Sequence, residues 1–303
     1  MNVFIAGASG TLGVPLVRAL VSAGHQVTGM TRSAAKEPAL RALGASTVVA
    51  DALDRRALVA AVAAARPTHV VHQLTALPKD GPRRESDLAP TNRLRVEGTA
   101  HLLEAAIAAG AKRFVVGSFA PLAPRGPAPP AEGPTAAALR SMESQVLDAS
   151  SRGAIEGVIL RYGLFYGPEA PSTAAMIEMV KKHRLPVLRG DRGQLPVIQL
   201  DDAVSATVLA LDRGPAGAVY EIVDDRAVSL TEIVDTLAGV TGSPRPFRLP
   251  AWVAWLLAPY MARLTSMRLP LSNAKARAEL GWSPRYPTIR EGLGGTIRRA
   301  AAA

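Results

Sequence analysis

The stretch Asn2-Val-Phe-Ile-Ala-Gly7-Ala-Ser-Gly10-Thr-Leu-Gly13 decides the fold. An apolar strand pattern, Asn2–Ala6, runs into three glycines, and an amphipathic segment over about Leu12–Ala23 follows at once. A helix N-terminus with exposed backbone N–H groups receives a pyrophosphate, and glycines let the backbone approach it without Cβ interference. Strand, glycine turn and helix stand in the required order within about 30 residues. Gly7, Ser9, Gly10, Thr11, Leu12 and Gly13 are therefore expected to hold a dinucleotide; the plain alternative is a tight turn without a ligand.

Working outward, short apolar runs alternate with Ala/Leu-rich amphipathic segments. Strands are expected at about Asn2–Ala6, Gln26–Met30, Ser46–Ala50, His69–His72, Arg113–Ser118 and Gly157–Arg161, with helices at about Leu12–Ala23, Ala34–Leu43, Arg55–Ala65, Leu94–Ala109 and Ala136–Ser151. That alternation is the pattern of βαβ units. It predicts an α/β Rossmann doubly wound parallel sheet with a smaller C-terminal substrate lobe. Prolines 78, 82 and 90, and the proline-dense stretch 121–134, mark loops at the carboxyl edge of the sheet. Residues 1–167 are assigned to the nucleotide-binding domain, with contributions from about 196–225. Residues 168–303 are assigned mainly to the lobe, where strands are expected at Pro196–Leu200 and Ala218–Val223 and helices at about Asp202–Asp212, Leu230–Thr241, Ala251–Leu264 and Ser272–Leu280. Trp252, Trp255, Leu256, Leu257 and Tyr260 recur at helical spacing, which suits a packed lobe or a dimer helix better than a ligand box, so a homodimer is one arrangement the pattern allows.

After the second strand, where a carboxylate would accept a bond from a ribose 2′-hydroxyl, the chain reads Thr31-Arg32-Ser33. An arginine flanked by hydroxyls suits a 2′-phosphate through charge-assisted forked hydrogen bonds. NADP(H) is therefore expected in preference to NAD(H); the plain reading is a surface arginine in a loop. Asp51 and Ala52 after the third strand are expected beside the adenine, and Leu74 and Thr75 after the fourth strand beside the rest of the cofactor, while Asp54 suits a helix N-cap.

The 303 residues, 48% hydrophobic and 20% charged, are enough for a large core and exclude a disordered or fibrous chain. With no Cys, disulfide scaffolds, thiolate metal sites and Cys nucleophiles are excluded together, and no metal site is expected. A net charge of +10 raises nucleic acid as a partner, yet the basic residues are scattered in ones and twos and aromatics make up only 4%, so solvated arginine faces are preferred. No uninterrupted apolar run is long enough to span a bilayer, and the start carries no leader pattern, so a cytoplasmic protein acting on a small molecule is expected.

Beside the glycine loop stand Asp51-Ala-Leu-Asp54, Val70-Val-His72, Gly98-Thr-Ala-His-Leu-Leu-Glu104-Ala-Ala106, Lys112-Arg-Phe-Val115, Leu160-Arg-Tyr-Gly-Leu-Phe-Tyr-Gly167-Pro168, Leu200-Asp-Asp202 and Ala278-Glu-Leu-Gly281-Trp282. In this order they resemble the extended short-chain dehydrogenase/reductases of the NAD-dependent epimerase/dehydratase group. The resemblance implies a nicotinamide cofactor at the glycine loop and a substrate under the C-terminal lobe. It also implies a Tyr-x-x-x-Lys pair on the helix after the fifth strand. There the chain reads Ala138-Leu-Arg-Ser141-Met142-Glu143, which places Ala138 and Met142 at those positions. The Ser/Thr that the resemblance implies after the fifth strand falls on Phe119, one residue beyond Ser118, and the Asn of the preceding helix falls on Arg95, with Asn92 one turn earlier.

The cradle is thus intact while the usual acid is missing. Ser118, Tyr162 and Tyr166 are the candidate catalytic residues; His72 is read as structural and Glu143 as a solvated side chain. The preferred reading is an atypical oxidoreductase or epimerase-like enzyme acting on a small carbonyl or sugar-like substrate. A non-catalytic sensor of NADP(H), and a fold that uses its cofactor structurally, are the alternatives.

Overall fold

Strand β1 (Asn2–Ala6) sends its side chains alternately into two apolar layers. Val3 and Ile5 join Leu16 and Leu20 of helix α1 (Gly13–Ser22), whereas Phe4 and Ala6 join Leu58 and Val62 of α3 (Arg55–Ala65). Burial on both faces is why the strand reads as a continuous apolar run rather than an alternating one. In this computed structural model the described residues are 1–78, 81–122, 132–191, 193–250, 252–253, 256, 267–269 and 271–302.

The remaining strands of the sheet are β2 (Gln26–Thr31), β3 (Ser46–Val49), β4 (His69–His72), β5 (Arg113–Phe119), β6 (Glu156–Tyr162) and β10 (Val219–Ile222). All pairings are parallel, in the order β10-β6-β5-β4-β1-β2-β3. The order in which successive strands are added reverses between β1 and β4, and the crevice outside the carboxyl ends of strands at such a switch is where ligands bind. The sheet has seven strands rather than six because Val219–Ile222 pairs with β6 at the edge. Val197–Gln199 (β9) instead pairs with β7 (Leu164–Tyr166) in a separate ribbon. Gly163 sends the chain there: a Cβ at this position would stand 2.8 Å from the Val197 backbone.

Two helices differ from their sequence reading for local reasons. The expected helix Ala34–Leu43 is a 3-10 turn followed by α2 (Glu37–Ala42), with Pro38 in the first turn, where its missing N–H costs nothing. The expected helix Leu94–Ala109 begins earlier, as α4 (Ala89–Arg93), passes through a π-helical turn at Leu94–Gly98 and continues as α5 (Thr99–Ala108). Helix α6 (Pro134–Ser151) lies over β5 and β6.

The lobe packs around a third cluster that includes Tyr166, Val187, Leu195, Ile233, Leu237 and Leu293. It contains α7 (Pro171–Lys181), α9 (Leu230–Thr241) and a two-stranded ribbon of β8 (Val187–Leu188) and β11 (Arg248–Leu249). Helix α8 (Leu200–Arg213) fastens the C-terminal segment to the sheet. Trp282 Nε1 donates to the Asp202 carbonyl, and the Asp202 carboxylate accepts from the backbone N–H groups of Arg285 and Tyr286. Helix α10 (Ala274–Leu280) begins two residues after the expected Ser272, and α11 (Ile289–Ala302) ends the described chain. Trp252 and Leu256 are 66% and 74% exposed, whereas Trp255, Leu257 and Tyr260 lie outside the described residues.

Candidate functional site

The glycine loop is built from close backbone contacts. Gly7 has φ +94, a left-handed conformation, and a Cβ there would stand 2.6 Å from the carbonyl oxygen of Gln73, the residue after β4. A Cβ at Gly13 would stand 2.2 Å from the Gly7 oxygen. These two glycines let β1, α1 and β4 converge. Gly10 differs: it is exposed, and its Cβ would meet only the Gly7 oxygen, at 3.2 Å. A cradle whose outer rim a side chain would fill fits a dinucleotide.

Thr31, at the carboxyl end of β2, is buried; its hydroxyl lies 3.0 Å from Ser9 Oγ and accepts from Ser33 N–H at 3.3 Å. It shapes the loop and leaves Arg32 exposed, with no ion pair among the described residues. Asp51 is exposed and accepts from Leu53 N–H, while Asp54 caps α3 by accepting from Ala57 N–H. Leu12 and Ala52 are buried packing residues, Thr11 and Leu74 are half-buried, and Thr75 is exposed. These residues lie on successive turns along the carboxyl edge of β1, β2, β3 and β4, so the structure brings them to one edge.

The candidate acids are placed differently from one another. Ser118 lies near the end of β5, and its hydroxyl donates to Glu143 Oε1 at 2.6 Å. Glu143 is 2% exposed, which corrects its reading as solvated. The helix presents it to β5 and β6, where Arg161 Nε and Nη2 bind its two oxygens at 3.0 and 2.6 Å. This forked pair is what makes a buried carboxylate tolerable. Arg161 also reaches Glu221 at 3.3 Å, and burial of the guanidinium is offset by both carboxylates, so its pKa is held above the usual range. The sequence signal for this cluster is Glu143 and Arg161 facing each other across a helix–strand unit, a tertiary pairing with no local pattern.

Both tyrosines are buried. The Tyr162 hydroxyl lies 2.7 Å from Thr207 Oγ1 and accepts from Gln73 Nε2 at 3.4 Å, and burial pushes its pKa well above the usual range. Because Thr207 donates to the Ala203 carbonyl, Tyr162 is the donor in their shared bond. Tyr166 belongs to the lobe cluster and donates to Asp224 Oδ2 at 2.8 Å; burial and that neighbour push its pKa up too. His72 is fully buried at the end of β4, where Nδ1 accepts from Leu74 N–H and Nε2 faces the Thr99 hydroxyl at 2.9 Å. Burial, helped by the charge of Arg95, pushes its pKa down to about 4, so it is a neutral structural ring.

Ala138 and Met142 are both buried, and Met142, 1% exposed, sits in an apolar cluster with Leu139 and Val146. Helix α6, Pro134–Ser151, contains neither Tyr nor Lys. Among the described residues no group of three or more His, Asp or Glu is placed to hold a metal ion, and no helix is long and apolar enough to cross a membrane.

Known proteins agree with this architecture. The chain is 40% identical over 311 residues to a 3-diazoavenalumate denitrifying reductase of a Streptomyces species, covering 97% of this chain and 99% of that one. It is 28% identical to a 4-hydroxy-2-methyl-3-oxo-4-farnesyl-3,4-dihydroquinoline-1-oxide ketoreductase of Stigmatella aurantiaca, covering 100% and 97%. The crystal structure of a Thermus thermophilus UDP-glucose 4-epimerase in complex with NAD superposes with a TM-score of 0.81 at 25% identity, covering both chains fully. An enzyme that uses a nicotinamide cofactor is the reading that stands over a non-catalytic sensor. Residues 3–223, from the first residues of β1 to the end of β10, match the family model, so the chain belongs to the NAD dependent epimerase/dehydratase family.

Proposed function

We propose that the protein is an NADPH-dependent reductase whose acceptor takes hydride without a side-chain acid. The observation that carries this reading is the pairing of an open cradle at Gly10 with candidate hydroxyls that are already committed: Ser118 to Glu143, Tyr162 to Thr207, and Tyr166 to Asp224. Arg32 supports the choice of NADPH, because a guanidinium beside Ser33 is suited to a 2′-phosphate and no acidic residue stands there to take a 2′-hydroxyl. A bound reduced nicotinamide supplies two electrons as hydride.

A carbonyl acceptor becomes an alkoxide and needs a proton, a requirement for which a positioned acid contributes about 10²–10⁴-fold. An arenediazonium acceptor has no such need. Hydride adds to the terminal nitrogen to give a neutral aryl diazene; its N–H proton passes to water, and a proton from water joins the carbon as dinitrogen leaves, so the sum is ArN₂⁺ + H⁻ → ArH + N₂. The Streptomyces relative, named for denitrifying a diazo compound, supports this acceptor class. The quinoline-oxide ketoreductase supports a small carbonyl as the second reading. A cytoplasmic location, where NADPH is regenerated, suits either reaction.

The test is NADPH oxidation with a stable arenediazonium salt and with a panel of ketones and aldehydes, with gas evolution measured alongside. Consumption of one NADPH per N₂ released, at a rate well above the uncatalysed background, is the expected result. Turnover on the carbonyl panel with none on the diazonium salt would transfer the assignment to the second reading.

A further inference from the structure

The chain carries no Asp or Glu from Thr236 to Ala278, a stretch that holds six Lys or Arg residues together with Trp252, Trp255, Leu256 and Tyr260. Those four apolar positions recur at the spacing of one helix face. Trp252 and Leu256 are the two most exposed large apolar side chains among the described residues, and Phe247, just before them, is 46% exposed. Single exposed apolar residues are ordinary, but a contiguous apolar face marks a contact surface.

The ribbon of β8 and β11 makes this face contiguous. Val187 is buried in the lobe cluster, so its neighbour Leu188 points the other way, and Leu249, paired with Leu188, shares that side with Phe247. Val187 N–H donates to the Phe247 carbonyl at 3.0 Å and Val253 N–H to the Pro250 carbonyl at 3.1 Å, so the apolar side runs from the ribbon directly into the turn that carries Trp252. Cations border it. Arg184 and Arg189 flank β8, and Arg245 and Arg248 lie at β11; all four are exposed, and none makes an ion pair among the described residues. Lys181 and Lys182, at the end of α7, share the carboxylate of Glu178 at 3.9 and 3.4 Å. Asp191, just beyond β8, is occupied by the backbone N–H groups of Gly193 and Thr231.

We propose that this side of the lobe docks on an anionic bilayer surface, lying on the membrane without crossing it. Trp, Phe and Leu suit the boundary between headgroups and acyl chains, and each Lys or Arg near that surface adds attraction to anionic lipid. The charge argues against a second copy of the chain as the occupant, because a two-fold contact sets a patch against itself and would bring arginine against arginine. A bilayer supplies the apolar layer and the negative charge together. The proposal goes beyond the reductase reading and does not depend on it.

Sedimentation of the full chain with lipid vesicles tests this. Vesicles of phosphatidylcholine mixed with phosphatidylglycerol are expected to bind the protein about tenfold or more tightly than phosphatidylcholine alone at low salt, and the difference should shrink in high salt. Tryptophan emission should shift to the blue on binding, as the exposed Trp252 leaves water. Trp252→Ser combined with Leu256→Ser, and separately Arg245→Glu combined with Arg248→Glu, should each weaken binding about tenfold or more, with the melting temperature as in the wild type. The charge variant carries the test if the serine variant does not fold. Ile107→Ser, at an exposed apolar position on α5, should bind vesicles as the wild type does. The absence of any preference for anionic vesicles, or a preference that survives in either folded double variant, overturns the proposal. A wild type that is a dimer without vesicles in analytical ultracentrifugation, and a monomer once Trp252 and Leu256 are replaced, also overturns it and assigns the face to a second copy of the chain.

Discussion

Gly10→Val separates the cradle from the fold. A Cβ at Gly10 would stand 3.2 Å from the Gly7 oxygen, with no other atom within 4 Å, and the backbone there lies outside the left-handed region. The substitution should therefore cost the fold no more than about 1 kcal/mol, which for a chain of this size is a shift of Tm of about 2–4 °C. The same side chain occupies the rim where the backbone must meet a pyrophosphate. Losing one or two hydrogen bonds to a charged group, at about 1.5–3 kcal/mol each, predicts a fall in NADPH affinity of about tenfold or more. Calorimetric titration with NADPH and a thermal melt of the same sample give both quantities. Gly13→Ala is the counterpart: its Cβ would lie 2.2 Å from the Gly7 oxygen and 2.6 Å from the Ala8 carbonyl, rigid backbone on both counts. It should destabilise the protein by more than about 3 kcal/mol. A folded Gly10→Val protein with undiminished NADPH affinity would show that the loop is only a turn, and the cofactor assignment would fall with it.

Other substitutions probe the remaining parts of the site. Arg32→Ala should weaken NADPH by about 1–3 kcal/mol and leave NADH nearly unchanged; equal losses in paired titrations would remove Arg32 from the 2′-phosphate. Asp51→Ala should weaken both cofactors alike, because the adenine is common to them, and a loss confined to one of them would give Asp51 another task. Glu143→Ala strands the buried Arg161 guanidinium and frees Ser118, so denaturant unfolding should show a loss of about 3–5 kcal/mol; a loss under about 1 kcal/mol would mean that the pair is not buried in solution. His72 stays neutral in the fold down to about pH 4, whereas in the unfolded chain it takes a proton near 6.5. As the pH falls from 6.5 to 4 the unfolded state binds the extra proton, and stability drops by about 3 kcal/mol. His72→Gln should remove that part of the acid sensitivity, and an unchanged pH–stability curve would contradict the neutral buried ring.

The sheet is legible in the sequence because its central strands are buried on both faces and its turns are chemically specific. Asn2–Ala6 and Arg113–Phe119 are short apolar runs bounded by glycine or alanine, Arg55–Ala65 follows its cap at Asp54, and each of these elements is local. The strand at the edge of the sheet, Val219–Ile222, is visible as a strand but not as a partner of Glu156–Tyr162, since pairing is a long-range choice made by packing. The π turn at Leu94–Gly98 has no signal in the pattern, because one extra residue in a helix scarcely alters hydrophobic periodicity over a short window.

The two halves of the site differ in the same way, and the difference bears on how such a fold changes its chemistry. The cradle is coded by the absence of side chains at Gly7 and Gly13, where any Cβ collides with backbone, so its sequence signature cannot drift without loss of the fold. The acid that the family resemblance implies would be coded by side chains on α6, a helix in which Ala138 and Met142 are buried and Met142 shares an apolar cluster with Leu139 and Val146. A helix register read from sequence alone therefore puts Glu143 on the wrong side, and only the contact with Ser118 and Arg161 places it. A chain with a fixed cofactor cradle and a free choice at the acid can keep hydride delivery while exchanging acceptors that become an alkoxide for cationic acceptors that hydride leaves neutral.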